Sequence, residues 1–128
     1  ARVFARAAAQ IETVREKPGR VLTLQSAGTS RTVPLDSIYY IESSNHKVEL
    51  HLKDGEFACY AKIGDLELEL QDQFFRIHKG YLVNLSYVAG YSKGSVTLTN
   101  GDRLLLSKYK YQDFVKAYLH FLKRGAGL

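Results

Sequence analysis

The chain has 128 residues, 45% of them apolar, and its 18 basic and 13 acidic side chains give a net charge of +5. This length and apolar content predict one compact domain with its own core and exclude a disordered chain. A single cysteine excludes an intrachain disulfide, and neither a secretory signal pattern nor a membrane-spanning apolar run of about 18 residues is present, so we expect a cytoplasmic protein that does not bind membranes.

Residues 1–19 predict an amphipathic helix that ends at Pro18-Gly19. Its apolar residues Val3, Ala7, Ile11 and Val14 recur every three or four positions, as on one face of a helix. We interpret this segment as a helical linker or the remainder of a truncated N-terminal region. It would precede a domain at residues 20–124 and a C-terminal tail at residues 125–128.

From Arg20 onward the apolar residues alternate with polar ones, which predicts half-buried β-strands. Asp54-Gly55 lies between two alternating runs and predicts a two-residue hairpin turn with positive φ at both residues. Asn100-Gly101 repeats this pattern between SVTLT and DRLLLS. A further turn is expected at Ser92-Lys93-Gly94.

Two helices are predicted among these strands. The first follows from Ile63, Leu66, Leu70 and Phe74, spaced by three or four residues. The second is YQDFVKAYLHFLKR, ending before Gly125, with a predicted buried stripe of Phe114, Val115, Tyr118, Leu119 and Leu122. The resulting fold class is mostly β with short helices. Because strands and helices do not alternate, a parallel nucleotide-binding sheet is not expected.

The sequence contains no motif of an enzyme or a cofactor-binding protein. GxGxxG, P-loop, nucleophile-elbow and CxxC patterns are all missing, so we expect a protein that is not an enzyme and holds no cofactor. His78, Asp102 and Ser107 supply the residue types of a hydrolytic triad, but no motif fixes their geometry. A small hydrolase is therefore the third-ranked hypothesis.

A metal site is not expected either. His46 and His51 are five residues apart on a strand-like segment, which predicts opposite faces, and no second cysteine or close carboxylate pair completes a site. Cys59 lies in a predicted strand, where a small buried thiol is typical.

The basic residues are concentrated in the second part of the chain. Residues 1–75 hold 9 basic and 11 acidic groups, whereas residues 76–128 hold 9 basic and 2 acidic groups. Three short polar and basic stretches lie at predicted strand ends: residues 43–47 (SSNHK), 76–80 (RIHKG) and 107–111 (SKYKY). Lys, Arg, Ser, Asn, His and Tyr are residue types that contact DNA phosphates and base edges. Three such stretches in one small domain favour nucleic-acid binding over ordinary polar turns.

About Arg20 to Arg124 resembles the LytTR family, a DNA-binding domain found mostly at the C-terminus of bacterial response regulators. The resemblance lies in IYYIESSNHKVEL, in FFRIHKGYLVNLSYV and in LSKYK. It implies an elongated fold of several antiparallel sheets, whose loops rather than a recognition helix enter successive major grooves of DNA.

The resemblance also assigns roles to individual residues. Base-reading positions fall on His46, Lys79 and Lys108, the last of which is often Arg in the family; lysine offers a point charge instead of a planar fork. Backbone or supporting contacts fall on Ser44, Asn45, Lys47, Arg76, Ser107, Tyr109 and Lys110. Asn84 is expected to make structural hydrogen bonds, His78 to support its loop, and Gly80 to let the backbone turn close to DNA.

The partner expected from the resemblance is double-stranded DNA, bound at two repeated sites by two protomers, with RNA polymerase as a further partner. A receiver domain of a two-component system would belong to the full-length protein. The alternative function is a β-rich protein-interaction module that docks an acidic partner through its basic C-terminal half.

Overall fold

A computed structural model describes residues 20–26 and 28–127, and in this part of the chain it contains ten β-strands, two α-helices and three antiparallel sheets. The mostly β, multi-sheet antiparallel fold class is confirmed. The helix predicted within residues 1–19 lies outside the described residues. Neither described helix combines the length and the hydropathy needed to cross a membrane.

The strands form one large and two small sheets. A hairpin comes first, made of β1 (Val21–Ser26) and β2 (Thr29–Pro34). The five-stranded sheet has the order β5-β4-β3-β7-β6 and consists of β3 (Ile38–Ser44), β4 (Lys47–Leu52), β5 (Gly55–Tyr60), β6 (Phe74–His78) and β7 (Tyr81–Asn84). The third sheet has the order β10-β9-β8 and consists of β8 (Val88–Ser92), β9 (Ser95–Leu98) and β10 (Arg103–Leu105). Three 3-10 turns lie at Leu35–Ser37, Leu85–Tyr87 and Lys108–Lys110.

Helix α1 (Ile63–Glu69) connects β5 to β6, and helix α2 (Tyr111–Gly127) follows the third sheet. The first was predicted from its apolar spacing, and both Ile63 and Leu66 are buried, but the helix ends at Glu69 and Phe74, which was placed on it, begins β6. The second also forms where predicted, but it continues past Gly125 instead of ending before it.

Two hydrophobic clusters cover opposite faces of the five-stranded sheet. Alternate residues of β3 point to opposite faces, so Ile41 belongs to the first cluster and Tyr40 to the second. The first cluster also contains side chains from β1, β2 and α1, and the second contains side chains from the third sheet and α2. Hydrophobic packing on both faces of the sheet fixes the position of the strand ends, where the polar stretches lie.

The buried face of α2 differs from the predicted stripe. Phe114 is fully buried and its ring stacks on Tyr118 with centroids 5.9 Å apart, while Phe121 also packs into the second cluster. Leu119 and Leu122, however, are 51% and 44% exposed, so the prediction that they are buried is wrong. The aromatic residues determine which side of the helix meets the sheet.

Both predicted hairpins form, but their turns differ from the prediction. Leu52 pairs with Gly55, so the first turn residues are Lys53 and Asp54, and Asp54 does not have the predicted positive φ. In the second hairpin the loop is longer, since the Gly101 N–H donates to the Leu98 carbonyl at 2.9 Å and φ is positive at Gly101 but not at Asn100. The strand register, which the turn dipeptide alone does not determine, sets these positions.

Candidate nucleic-acid interface

The three polar stretches form three neighbouring turns joined by backbone hydrogen bonds. We define the first turn as residues 44–47, the second as 78–80 and the third as 107–110, and together they form the turn surface. The Ser43 N–H donates to the Gly80 carbonyl at 2.9 Å and so joins the first two turns. The Ser107 N–H donates to the Ile77 carbonyl at 2.8 Å and so joins the third turn to the strand that leads into the second. The turn surface is therefore one connected unit.

The first turn is formed by backbone conformation. Ser44 pairs with Lys47, which leaves Asn45 and His46 as a two-residue loop with φ of 47° and 65°. Positive φ at both central residues is the requirement of a type I′ hairpin turn. These are the non-glycine residues with positive φ in the described part of the chain. All four turn residues are exposed, and the Lys47 Nζ lies 5.1 Å from the centroid of the Tyr60 ring.

The second turn is held by side chains. Arg76 donates from Nη1 to Glu67 Oε1 at 3.2 Å and from Nη2 to the Lys79 carbonyl at 2.6 Å. His78 Nδ1 accepts from the Gly80 N–H at 3.2 Å. Arg76 and His78 thus support the backbone around Lys79, whose side chain is exposed.

Gly80 does not have a positive φ, the backbone conformation that favours glycine. A Cβ at this position would lie 3.8 Å from His78 Nδ1 and 3.9 Å from the Ser43 carbonyl, which are ordinary contact distances. The geometry within the protein does not require glycine here. The close approach of Gly80 to DNA stays a prediction.

The third turn precedes α2 and exposes two of the candidate residues. Ser107 closes it twice, because its Oγ accepts from the Tyr109 N–H at 3.4 Å and its carbonyl accepts from the Lys110 N–H at 2.9 Å. Lys108 is exposed, and the Tyr109 side chain is 83% exposed. Lys110 is half-buried and shares a groove with Lys79 of the second turn.

Lys93 was not among the predicted site residues. It lies in the turn between β8 and β9 and lines a surface groove together with Lys108 and Tyr109. The sequence signal was a lysine at the centre of the predicted turn Ser92-Lys93-Gly94. Lys93 extends the basic surface beyond the third turn.

Asn84 is buried and makes the structural hydrogen bonds expected of it. Its Nδ2 donates to the carbonyls of Leu35 at 3.2 Å and Ile38 at 2.9 Å. Its Oδ1 accepts from the Ser86 N–H at 2.9 Å and from Gln73 Nε2 at 3.3 Å. The residue therefore connects the start of β3 to the end of β7, two strands whose other ends reach the turn surface.

The residues considered for catalysis have other partners. His78 bonds to Gly80 in the second turn, and Asp102 accepts from Asn100 Nδ2 at 3.1 Å within the β9–β10 loop. Ser107 closes the third turn, so these residues do not form a triad. Cys59 is buried as expected, and burial raises the pKa of its thiol, which disfavours the reactive thiolate.

The prediction that no close carboxylate pair lies near a histidine is wrong for His51. The register of β3 and β4 pairs Glu42 with Glu49 and Tyr40 with His51, which places these side chains on one face of the sheet. One donor atom each of Glu42, Glu49 and His51 lie within 4.8 Å of one another. A carboxylate pair does therefore lie beside a histidine. His46, in contrast, lies in the first turn.

Comparison with known proteins supports the DNA-binding interpretation. The LytTr DNA-binding domain family matches residues 28–119. The CO-responsive transcriptional regulator RcoM of Rhodospirillum rubrum is 31% identical over 75 residues, which are 58% of this chain. That match spans 32% of the relative's length, so the chain corresponds to about a third of that protein.

A solved structure shows the same fold. The LytTr DNA-binding domain of a putative methyl-accepting/DNA response regulator from Bacillus cereus superposes with a TM-score of 0.64 at 21% identity, covering 76% of this chain and 94% of the other. The matched family is one of DNA-binding domains and not of enzymes. The family match at residues 28–119 covers most of the described residues. The chain therefore belongs to the LytTR family of DNA-binding domains that serve in transcription regulation.

Proposed function

We propose that the turn surface binds double-stranded DNA sequence-specifically, by loops inserted in successive major grooves. The observation that carries the proposal is the pair of backbone hydrogen bonds that joins the turns, Ser43 to Gly80 and Ser107 to Ile77. Joined turns present their side chains with a fixed spacing, which groove recognition requires. The major groove, about 12 Å wide, accommodates two-stranded β-ribbons as well as helices.

Base reading is assigned to one exposed side chain from each turn: His46, Lys79 and Lys108. Lysine donates to the O6 and N7 acceptors of guanine, and an imidazole can donate or accept at a base edge. Hydrogen bonds within the protein support this division, because Arg76 Nη1 and Nη2 donate to Glu67 and to the Lys79 carbonyl, and His78 Nδ1 accepts from the Gly80 N–H.

The remaining candidates are assigned to the phosphate backbone or to support of the turns. Arg76 and Ser107 are supporting residues, since both hold turn backbone. Phosphate contacts are assigned to Ser44, Asn45, Lys47, Tyr109 and Lys110, and we add Lys93 to this group. The basic balance of residues 76–128 raises the local potential for a polyanion.

The chain would act as the cytoplasmic output module of a longer transcription regulator. The matched relative is named a transcriptional regulator, and the matched structure belongs to a response regulator. We propose that two protomers bind two repeated sites, that a receiver domain belongs to the full-length protein and that RNA polymerase is a further partner.

The test is duplex binding across a salt series. We first select bound sites from a random duplex library and then measure the Kd of the selected and a scrambled duplex by fluorescence anisotropy from about 50 to 200 mM salt. A phosphate-contacting protein loses affinity linearly in log Kd against log salt, and the selected duplex should stay tighter throughout. Salt-insensitive binding, or none, would instead favour docking of an acidic protein partner on the same basic surface.

A further inference from the structure

We propose that Glu42, Glu49 and His51 form a binding site for a divalent transition-metal ion of the Zn²⁺ class on the open part of the five-stranded sheet, directly behind the first turn. This site lies outside the turn surface. The DNA effect that we derive below rests on the proposed function, but metal binding itself does not.

The three donor groups converge from two adjacent strands. Glu42 on β3 faces Glu49 on β4, and one donor atom each of these residues and of His51 lie within 4.8 Å of one another. His51 Nε2 lies 3.1 Å from Glu42 Oε1, so this nitrogen points toward the carboxylates. One imidazole with two carboxylates is a ligand set that Zn²⁺ accepts at about 2.0–2.2 Å, with water completing a tetrahedron.

His51 is already held as a metal-bound histidine is held. Its other nitrogen, Nδ1, lies 3.3 Å from Glu56 Oε2, and the second nitrogen of a metal-ligating histidine almost always donates to a carboxylate, a backbone carbonyl or water. Its ring stacks on Tyr40 with centroids 4.1 Å apart and an interplanar angle of 12°.

The charge on this face also favours a cation. Glu42 and Glu49 occupy directly opposite positions of an antiparallel pair, where like charges destabilise a sheet. Only 16% of the His51 side chain is exposed, against 36% of the Glu42 side chain, so the imidazole forms the floor of the site and the carboxylates its rim. A bound divalent ion would remove the repulsion between the two carboxylates.

The site is close enough to the first turn to influence DNA binding. Glu42 precedes Ser44 by two residues on β3, a separation of roughly 7 Å along a strand. Two carboxylates at this distance repel phosphates next to His46, and a bound divalent cation cancels that charge. Metal binding is therefore expected to tighten DNA binding several-fold.

Isothermal titration of the full 128-residue chain with Zn²⁺ in a non-chelating buffer tests the site without DNA. The wild type should bind one ion per chain through this site, and Glu49→Gln and His51→Gln should each weaken that binding by about 10-fold or more. Glu56→Gln should weaken it by about 10-fold because the imidazole loses its orienting partner. His120→Gln, which alters a histidine on α2, is the matched control and should leave the titration unchanged.

Folding of each variant is checked by its thermal transition without metal. Loss of Zn²⁺ binding in a folded Glu49→Gln variant supports the site. The proposal is overturned if the wild type does not bind Zn²⁺, or if Glu49→Gln and His51→Gln bind it as tightly as the wild type does.

DNA titrations with Zn²⁺ or with a chelator separate the two claims. A tightening in the wild type that Glu49→Gln lacks supports the coupling, and an unchanged Kd overturns it. If the chain binds Zn²⁺ but no duplex DNA under any condition, the proposed function is overturned while the metal site stands.

Discussion

The first and second turns are neighbours on the same surface, yet they keep their shape by different means. The first depends on backbone conformation, with positive φ at Asn45 and His46. The second depends on side chains, because Arg76 and His78 bond to the backbone around Lys79. One protein thus positions two adjacent exposed residues in two ways, and substitutions in the two turns should have opposite consequences for stability.

The largest expected effect comes from Asn84, which connects strands leading to both turns. Asn84→Leu would leave the Ile38 carbonyl and the Ser86 N–H without this partner and would remove one of two donors to the Leu35 carbonyl, which also accepts from the Ile38 N–H. Since each unsatisfied buried group costs about 1–3 kcal/mol, we expect a loss of roughly 2–4 kcal/mol in the free energy of unfolding. Urea denaturation measures it.

Gln112→Leu, at an exposed position of α2, is the control and should cost less than about 1 kcal/mol. A similar small cost for Asn84→Leu would show that the two turns do not share this buried support.

The next effect distinguishes base reading from phosphate contact within the turn surface. Lys79→Ala and Lys108→Ala should each weaken specific DNA binding by about 1–3 kcal/mol, whereas Lys110→Ala should weaken specific and random DNA nearly equally. The measurement is the Kd of both duplexes at one fixed salt concentration. If Lys108→Ala reduced both affinities by the same factor, its base-reading role would be withdrawn.

His46→Gly tests the backbone support of the first turn. His46 has φ of 65°, which glycine adopts without strain, so the substitution should raise the free energy of unfolding by about 0.5–1 kcal/mol. It should also lower the specific-to-random affinity ratio, because the imidazole is lost. His46→Ala should lower the ratio without stabilising the fold.

An unchanged specific-to-random affinity ratio in both His46 variants, together with a lowered melting temperature, would remove His46 from the base-reading residues.

The corresponding change in the second turn is Arg76→Gln. It should destabilise the domain, whereas His46→Gly should stabilise it.

Part of this arrangement was predictable from the sequence, since strand alternation and turn dipeptides indicated a mostly β fold with hairpins, whereas the multi-sheet architecture and the role of the second turn followed from the resemblance of FFRIHKGYLVNL to the LytTR family. The sequence did not show that Asn45 and His46 have positive φ, because Asn-His lacks the glycine that usually marks such a turn. It also missed the cluster of Glu42, Glu49 and His51. That cluster depends on the register of β3 and β4, and a shift of one residue would place a side chain on the other face.

The smallest effect is expected at an ion pair away from both turns. Arg20 bonds to Asp72, and this bond lowers the pKa of the Asp72 carboxyl below its ordinary value of 3.8. A lowered folded-state pKa means that the pair stabilises the protein above about pH 4 and that this contribution is lost as the pH falls toward the folded-state pKa. Because both side chains are about half exposed, Asp72→Asn should cost at most about 1 kcal/mol at pH 7 and less at pH 3. Chemical denaturation at the two pH values measures it, and an equal cost at both would contradict the assignment.

The central claim, that three joined turns read successive major grooves, is tested most directly by methylation interference on a selected duplex. Methylation of guanine N7 marks the major groove, and methylation of adenine N3 marks the minor groove. We expect interference at guanine N7 in clusters about one helical turn apart, with Lys79→Ala and Lys108→Ala each removing guanines from a cluster. Interference confined to adenine N3, or clusters that no turn variant changes, would contradict the account.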